Sequence, residues 1–294
     1  MSKVLDFHPQ FDEVLSYHFD SGNAGPHLLL LGGIHGNETC GQVALQALVD
    51  EIDSGELPLK AGKVTLVPQC NPWACASNVR YVEANLNRVI TRHEAPQNYE
   101  ERIADIICDH IEKCDAMVDI HSAHAGIGPP FIFNDYPSEE NNKLARVLGG
   151  TYIIGGWAEM NGDDAVIPTT QDFAHRHGKL NCLIECGEHT DPQAIMVADR
   201  AARNALIHFG LIEGEILVPE IEKDVKITGA YIKDREGDFV HEEFRHMQPI
   251  KAGDLLAKYK DGEEVKAPEN GFLILPFYEA KPTDEWFFYG VLQN

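Results

Sequence analysis

The chain has 294 residues, of which 47 are Asp or Glu and 24 are Lys or Arg, so its net charge is −23. A chain this acidic repels the phosphates of nucleic acids and anionic membrane surfaces, which argues against both as partners. Its hydrophobic fraction of 44% is that of a globular protein long enough to bury a core without covalent staples.

Strand-like and helix-like segments alternate over the first 213 residues. Apolar runs predict buried strands, and apolar residues that share one helical face predict helices. In chain order the segments are strand 27–33, helix 38–52, strand 63–69, helix 99–113, strands 116–120 and 181–184, and helix 194–209. This alternation predicts an α/β domain over residues 1–213, with a mostly parallel mixed sheet flanked by helices.

The pattern changes after about residue 214, where short apolar pieces are separated by turns that contain glycine. These pieces are residues 216–218, 230–233, 255–259 and 272–275. They predict a smaller β-rich domain over residues 214–294 that packs against the first domain.

The seven cysteines are odd in number, and no two have the Cys-x2-Cys spacing. This predicts reduced, mostly buried thiols rather than disulfides or a structural zinc site. The N-terminus lacks the apolar segment of a signal peptide, and the longest apolar run, residues 28–31, is too short to cross a bilayer. We therefore expect a cytoplasmic protein, and the sequence is compatible with a homo-oligomer.

Candidate metal ligands lie at the ends of two predicted strands. His35 and Glu38 are three residues apart across a strand-to-helix turn, so both can face one point. His121 ends another strand, with Asp119 on the same face. Open α/β sheets bind ligands at the carboxyl ends of their strands, and two imidazoles with one carboxylate suit catalytic zinc. Taken singly, each residue is more often an ordinary hydrogen-bonded side chain, and it is their joint placement that indicates a metal site. Cobalt or manganese would suit the same ligands.

Glu185 ends a third apolar strand and is a candidate base for a zinc hydrolase, which needs a carboxylate near its water. Glu188 competes for this role, and His124 is a further candidate. An ordinary capping or ion-paired glutamate and a loop histidine are the alternatives.

A stretch that could bind an anion lies between the candidate ligands. Arginine is scarce in this chain, yet Arg80 and Arg88 lie close together, and Asn87 precedes the second. A guanidinium can bind a carboxylate through two hydrogen bonds, and an Asn amide adds a neutral donor. Pairing with surface acids is the alternative.

The ordered motifs in residues 27–190 resemble the succinylglutamate desuccinylase/aspartoacylase family of the zinc carboxypeptidase superfamily. They are His-Gly-Asn-Glu, Asn-Pro-x-Ala, Arg-Tyr, Asn-Leu-Asn-Arg, Asp-Ile-His and Ile-Glu-Cys-Gly. The terminal β segment also resembles the second domain of that family. The resemblance implies a zinc-carboxypeptidase-like fold with a C-terminal β domain that caps the site. It also implies hydrolysis of an amide bond in a small N-acyl amino acid or related carboxylate.

The resemblance further implies a role for each matched residue. It makes one Zn²⁺ ion per chain the cofactor, with the ligands His35, Glu38 and His121. It implies that Glu185 activates the water, that Arg80 polarises the carbonyl, and that Asn87 and Arg88 bind a substrate carboxylate. Arg176 lies near the place of a further substrate-binding arginine, and Tyr278 resembles a tyrosine that reaches the site from the β domain. Asn85 stands where the family commonly has Asp, which changes a supporting contact.

Two other functions remain open on sequence alone. A zinc metallocarboxypeptidase would use the same ligands on peptides, although a β domain that narrows the cleft argues against it. A metal-binding protein without catalysis is the more distant alternative, against which Glu185 and Arg80 argue. The acyl group and the amino acid are not determined by the sequence.

Overall fold

A computed structural model describes residues 13–124, 128–161, 168–282 and 284–293. Its strands are β1 (Tyr17–Asp20), β2 (His27–Gly32), β3 (Lys63–Val67), β4 (Ala116–Ala123), β5 (Phe131–Phe133), β6 (Tyr152–Gly155), β7 (Leu180–Glu188), β8 (Lys223–Ile232), β9 (Gly237–Phe239), β10 (Gln248–Ile250), β11 (Leu255–Tyr259), β12 (Glu264–Lys266), β13 (Gly271–Ile274) and β14 (Glu285–Leu292). Its helices are α1 (Thr39–Asp53), α2 (Pro72–Ser77), α3 (Tyr99–Lys113), α4 (Glu139–Val147), α5 (Thr170–Arg176) and α6 (Gln193–His208).

Eleven of these strands form one mixed sheet in the order β1-β3-β2-β4-β7-β5-β6-β8-β14-β13-β10. The four strands β3, β2, β4 and β7 pair in parallel. On one side of these four strands β1 pairs antiparallel with β3, and on the other side β5 pairs antiparallel with β7. The predicted α/β class, with a large mixed sheet flanked by helices, is confirmed.

Helices cover both faces of the sheet, and the side chains of β2 alternate between them. Leu28 and Leu30 pack with residues of α1 and α6, whereas Leu29 and Leu31 pack with residues of α3. All four leucines are buried. A strand covered on both faces reads as a continuous apolar run, which is why residues 27–33 were recognisable in the sequence.

The long helices agree with their predicted bounds to within a residue. α3 has the bounds expected from its apolar face, and it begins after Asn98, whose side chain accepts a hydrogen bond from the Glu101 N–H. Acidic residues in its first turn and Lys113 in its last turn complement the helix dipole.

The strands after residue 214 extend the large sheet rather than forming only a separate one. β8 pairs in parallel with β6, and β14, β13 and β10 follow in antiparallel pairs. A smaller antiparallel sheet contains β12, β11 and β9. The prediction of a strand at residues 216–218 is wrong, since these residues have no regular secondary structure. Leu217 is 66% exposed, and Pro219, which follows the segment, has no N–H to donate to a neighbouring strand. The division between residues 213 and 214 stays a prediction.

The seven cysteines all lie within the described residues, where all are free thiols and six are buried. The expectation of mostly buried, unpaired thiols is confirmed. Among the described helices, none has the length and apolar character needed to cross a membrane.

Candidate metal centre and active site

Three neighbouring parallel strands bring the candidate residues to one edge of the sheet. His35 follows β2, His121 lies in β4 and Glu185 lies in β7. The register places His121 directly opposite Glu185. Residues that are 64 positions apart in sequence therefore become neighbours because their strands pair in parallel and carry them to the same end.

The turn between β2 and α1 holds His35 and Glu38. The Glu38 N–H donates to the His35 carbonyl at 3.2 Å, and the Gly36 N–H donates to the Arg80 carbonyl at 3.2 Å. A Cβ atom at Gly36 would lie only 2.0 Å from the carbonyl carbon of Ala74. Glycine is therefore required for this turn to pack against α2.

His35, Glu38 and His121 form a group that could hold a metal ion, since one ligand atom from each lies within 4.8 Å of the others. The Glu38 carboxylate lies between the imidazoles, with Oε1 2.8 Å from His35 Nδ1 and Oε2 2.8 Å from His121 Nδ1. All three side chains are buried. Two imidazole nitrogens and a carboxylate are the donors of many catalytic zinc sites, so these residues fit the predicted ion.

The charge of Glu38 suits a cation. Burial acts to raise the pKa of Glu38, but the His35 and His121 imidazoles outweigh it and hold that pKa well below its usual range. Burial lowers the pKa of His35. Burial also acts to lower the pKa of His121, yet the carboxylates of Asp119 and Glu38 raise it well above its usual value. Glu38 is thus ionised at neutral pH, as a metal ligand must be.

Each imidazole faces an oxygen on the side away from Glu38. His35 Nε2 is 3.0 Å from Asn85 Oδ1 and can donate to it. His121 Nε2 is 3.0 Å from Asp119 Oδ2, although in an orientation that does not make a hydrogen bond. The predicted proximity of Asp119 to His121 is confirmed, and Asn85 keeps an oxygen acceptor behind His35. The Asn85 oxygen behind His35 and the Asp119 charge behind His121 both favour a proton on Nε2, which leaves each Nδ1 to bind a metal.

Glu185 is half-buried and lines the same cavity as His35 and His121. Its Oε2 atom is buried and has no hydrogen-bond partner among the described residues. Burial, together with the nearby Glu38 carboxylate, raises the pKa of Glu185 to about 8. The side chain therefore offers an uncommitted carboxyl oxygen beside the candidate metal group.

A cavity of about 150 Å³ lies in front of this group, and Arg80, Asn87 and Arg88 all line it. Arg80 Nη1 donates to Glu38 Oε1 at 3.0 Å. Arg88 donates to the Asn87 carbonyl at 2.8 Å, and its guanidinium carbon lies 4.9 Å from the centre of the Trp157 ring. Burial lowers the pKa of Arg88. The three predicted anion-binding residues are thus brought together beside the candidate ligands.

Arg176 and Tyr278 do not line this cavity in the structure. Arg176 lies at the end of α5, where its Nε donates to Asp172 at 2.8 Å. The Tyr278 hydroxyl donates within the C-terminal region, at 3.1 Å to the carbonyls of His241 and Phe244. Their assignment to substrate binding stays a prediction without geometric support.

The two other candidates from the sequence also lie outside the cavity lining. His124 Nε2 is 3.2 Å from the Pro276 carbonyl, and its ring lies 5.0 Å from that of Phe277. Glu188 is opposite Ala123 at the far end of the β4–β7 pairing. Of the two glutamates in this strand, Glu185 is the one that faces the cavity.

Several lining residues were missed in the sequence. They are Phe133, Asp135, Trp157, Thr169, Gln171, Leu183, Leu275, Glu285 and Phe288. Asp135 accepts the Trp157 N–H at 2.9 Å, and burial raises its pKa to about 7. The sequence contained a signal for it, because Asn134 and Asp135 follow the apolar residues of β5 much as His121 follows those of β4.

The sheet topology and the buried His-Glu-His group together define an α/β protein with a candidate metal centre at its strand ends. Residues 24–209 match the succinylglutamate desuccinylase/aspartoacylase catalytic domain. The chain belongs to this family.

Two relatives and one solved structure illustrate the similarity. The N-alpha-acetyl-L-2,4-diaminobutyric acid deacetylase of Halomonas elongata is 25% identical over 251 residues, covering 81% of this chain and 71% of the relative. The succinylglutamate desuccinylase of Pseudomonas paraeruginosa is 36% identical over 110 residues, covering 35% of this chain and 32% of the relative. The structure of succinylglutamate desuccinylase from Vibrio cholerae superposes with a TM-score of 0.77 at 16% identity, covering 95% and 86% of the two chains. This last similarity shows the fold.

Proposed function

We propose that the chain is a zinc-dependent deacylase that hydrolyses the amide bond of a small N-acyl amino acid or related carboxylate. The observation that carries this proposal is one cavity lined both by the buried His-Glu-His group and by Glu185, whose buried oxygen lacks a hydrogen-bond partner in the described residues. A Lewis-acid site beside an uncommitted carboxylate suits hydrolysis of an amide.

The names of the relatives support the substrate class. One is a deacetylase of an acetylated diamino acid, and the other removes succinyl from succinylglutamate. Both names describe removal of an acyl group from an amino acid. The cavity of about 150 Å³ is in keeping with a small substrate.

In the proposed mechanism, His35, Glu38 and His121 would hold one zinc ion, which would lower the pKa of a water and polarise the acyl carbonyl. Glu185 takes a proton from the attacking water and gives it to the leaving amine. Burial raises the pKa of Glu185 to about 8 in the metal-free protein, and a bound cation would lower it towards the range where the group can both accept and donate a proton.

Three further residues would hold the substrate. Arg80 lies 3.0 Å from Glu38 Oε1, so its guanidinium is placed to stabilise negative charge that develops on the carbonyl oxygen. Asn87 and Arg88 bind the substrate carboxylate and thereby fix the scissile bond relative to Glu185. Arg88 can exchange its present neighbour, Glu285 Oε2 at 3.8 Å, for that carboxylate.

We also propose that residues 214–294 act as a unit that caps the site, because Leu275, Glu285 and Phe288 belong to it and line the cavity. We propose the cytoplasm as its compartment, on the ground that all seven thiols are free.

The test compares substrates before and after zinc is restored to chelator-treated protein. The panel contains N-acetyl and N-succinyl amino acids and, for comparison, amino-blocked dipeptides with a free carboxylate. We expect turnover of at least one N-acyl amino acid only with zinc, and much slower turnover of the dipeptides. Preference for the dipeptides would instead support a carboxypeptidase, and zinc binding without any turnover would support a non-catalytic metal protein.

A further inference from the structure

Thr170 is a fully buried residue at the start of α5, between the candidate metal centre and the candidate carboxylate site. Its hydroxyl donates a hydrogen bond of 2.6 Å to Asp119 Oδ2. Its backbone N–H donates a hydrogen bond of 3.0 Å to Asn87 Oδ1. One residue thus contacts both the acceptor behind His121 and an amide that lines the cavity.

The bond from the backbone determines which way the Asn87 amide faces. A backbone N–H can only donate, so it must meet the oxygen of the amide and not the nitrogen. The amide oxygen of Asn87 is thereby occupied, so Nδ2 is the atom that this cavity-lining side chain has left to offer a ligand. Thr170 therefore makes Asn87 a hydrogen-bond donor, which suits a carboxylate or carbonyl oxygen and disfavours a substrate ammonium.

The bond from the hydroxyl fixes the carboxylate behind His121. Asp119 is completely buried, and its other oxygen, Oδ1, has no hydrogen-bond partner among the described residues. Asp119 Oδ2 lies 3.0 Å from His121 Nε2. An imidazole that binds a metal through Nδ1 carries its proton on Nε2, and a carboxylate charge this close favours that form of the ring without making a hydrogen bond to it. The Thr170 hydroxyl holds that carboxylate in position.

The start of α5 does not need the Thr170 hydroxyl. The preceding residue, Thr169, already caps the helix by accepting a hydrogen bond from the Asp172 N–H. A substitution that removes only the hydroxyl of Thr170 is thus expected to leave the helix intact.

We propose that Thr170 is a positioning residue that joins the metal centre to the carboxylate site, with its hydroxyl acting through Asp119 on His121 and its N–H orienting Asn87. The role of the Thr170 N–H rests on the proposed function, because it assumes that Asn87 binds a substrate carboxylate. The role of the hydroxyl concerns only the metal and is independent of any substrate.

The metal part is tested with Thr170→Val, which removes the hydroxyl and keeps the shape, and with Thr170→Ser, which keeps the hydroxyl. Zinc affinity is measured by competition with a chromophoric chelator in the absence of substrate. We expect Thr170→Val to bind zinc about 10- to 100-fold more weakly, the usual loss when a contact behind a ligand is removed. Thr170→Ser should remain close to wild type.

The melting temperatures of the metal-free proteins separate this role from simple packing. Packing alone would lower the melting temperature of Thr170→Ser, which lacks the methyl group, and leave the zinc affinity of Thr170→Val unchanged. The proposed role of the hydroxyl would be overturned if Thr170→Val bound zinc as tightly as the wild type. It would also be overturned if Thr170→Val and Thr170→Ser lost zinc affinity to the same extent.

The carboxylate part is tested with Asn87→Asp, which keeps an acceptor for the Thr170 N–H but replaces the amide donor with a second carboxylate oxygen. We expect KM to rise at least 10- to 100-fold, because a hydrogen bond to a charged group is lost and the new carboxylate also repels that of the substrate. An unchanged KM would overturn the donor role. If the wild type hydrolyses no N-acyl amino acid, the proposed function fails while the zinc affinities still decide the role of the hydroxyl.

Discussion

At the scale of single residues, Arg88 and Arg176 show how much location decides the function of an identical side chain. Arg88 lines the cavity beside Asn87, whereas Arg176 pairs with Asp172 at the end of α5 and lies outside the cavity lining. Both arginines were candidates for substrate binding from the sequence. Only the contacts of the folded chain distinguish them.

Replacing each of these arginines by methionine should have different consequences. Arg88→Met removes the cation expected to bind the substrate carboxylate, so KM should rise about 10- to 100-fold. Arg176→Met should leave KM unchanged. Steady-state kinetics on an N-acyl amino acid and on its carboxamide provide the check, because the carboxamide should be insensitive to Arg88→Met. A similar rise in KM for Arg176→Met would contradict the assignment.

The residues of the candidate site that could be predicted are those at the ends of strands long and apolar enough to be recognised in the sequence. His121 and Glu185 end long apolar runs, so their meeting at one edge follows from parallel pairing. Asp135 and Glu285 were missed because one follows a strand of three residues and the other begins β14, in a region read only as short pieces. The signal for Asp135 was therefore short, and the position of Glu285 depends on tertiary contacts that no local pattern encodes.

At the scale of elements, the residues flanking β10 and β13 form a buried junction beside the cavity. His246 Nδ1 accepts the N–H of Leu275, which lines the cavity and has a φ of 50°. The His246 ring lies 4.5 Å from that of Phe131. Burial lowers the pKa of His246 to about 3. The neutral ring therefore holds a strained backbone position in the cavity wall.

This junction should make the fold sensitive to acid. The unfolded chain takes up a proton at His246 near the ordinary value of 6.5, whereas the folded chain resists protonation down to about 3. Stability is therefore lost as the pH falls below 6.5, by about 2 kcal/mol between pH 7 and pH 5.

Urea unfolding of metal-free wild type and His246→Asn at both pH values tests this expectation. The Asn oxygen can accept the Leu275 N–H and does not titrate, so the wild type should lose about 2 kcal/mol more than the variant on acidification. Other titrating groups are common to both proteins and cancel in the comparison. An equal loss in both proteins would show that His246 does not contribute.

The helices and strands that were predicted correctly are those in which the pattern of apolar residues is long. α3 was predicted in full because its apolar face recurs over four turns, and β2 because it is buried on both sides. β5 and β6 have three and four residues, too few for a period to be seen. Residues 216–218 looked like a strand because of their composition, yet they find no partner strand. Strand pairing across residue 214 is a long-range property that local patterns do not reveal.

At the scale of the whole molecule, the C-terminal strands do more than complete the sheet. Phe288 of β14 faces the cavity with Leu275, whereas its neighbour Phe287 points to the opposite face and packs in the core with Trp286. The strands and turns that follow residue 214 thus supply part of the cavity wall.

Phe288→Ala should widen the cavity and raise the rate for bulky N-acyl amino acids or blocked dipeptides relative to the acetylated amino acid. Phe287→Ala is the matched control, since it removes an equally large side chain from the other face and should cost a similar 3–5 kcal/mol without changing selectivity. Ratios of kcat/KM measured below both melting temperatures decide between them. An unchanged ratio in Phe288→Ala would contradict the role of this wall.

The central claim, that Glu185 is the base beside a zinc ion held by His35, Glu38 and His121, is tested most directly by Glu185→Gln. We measure its zinc content and its kcat, with Glu188→Gln as the control from the same strand. We expect Glu185→Gln to retain one zinc ion per chain while its kcat falls by about 10²- to 10⁴-fold, and Glu188→Gln to stay near wild type. A zinc-loaded Glu185→Gln that turns over at the wild-type rate would contradict this claim.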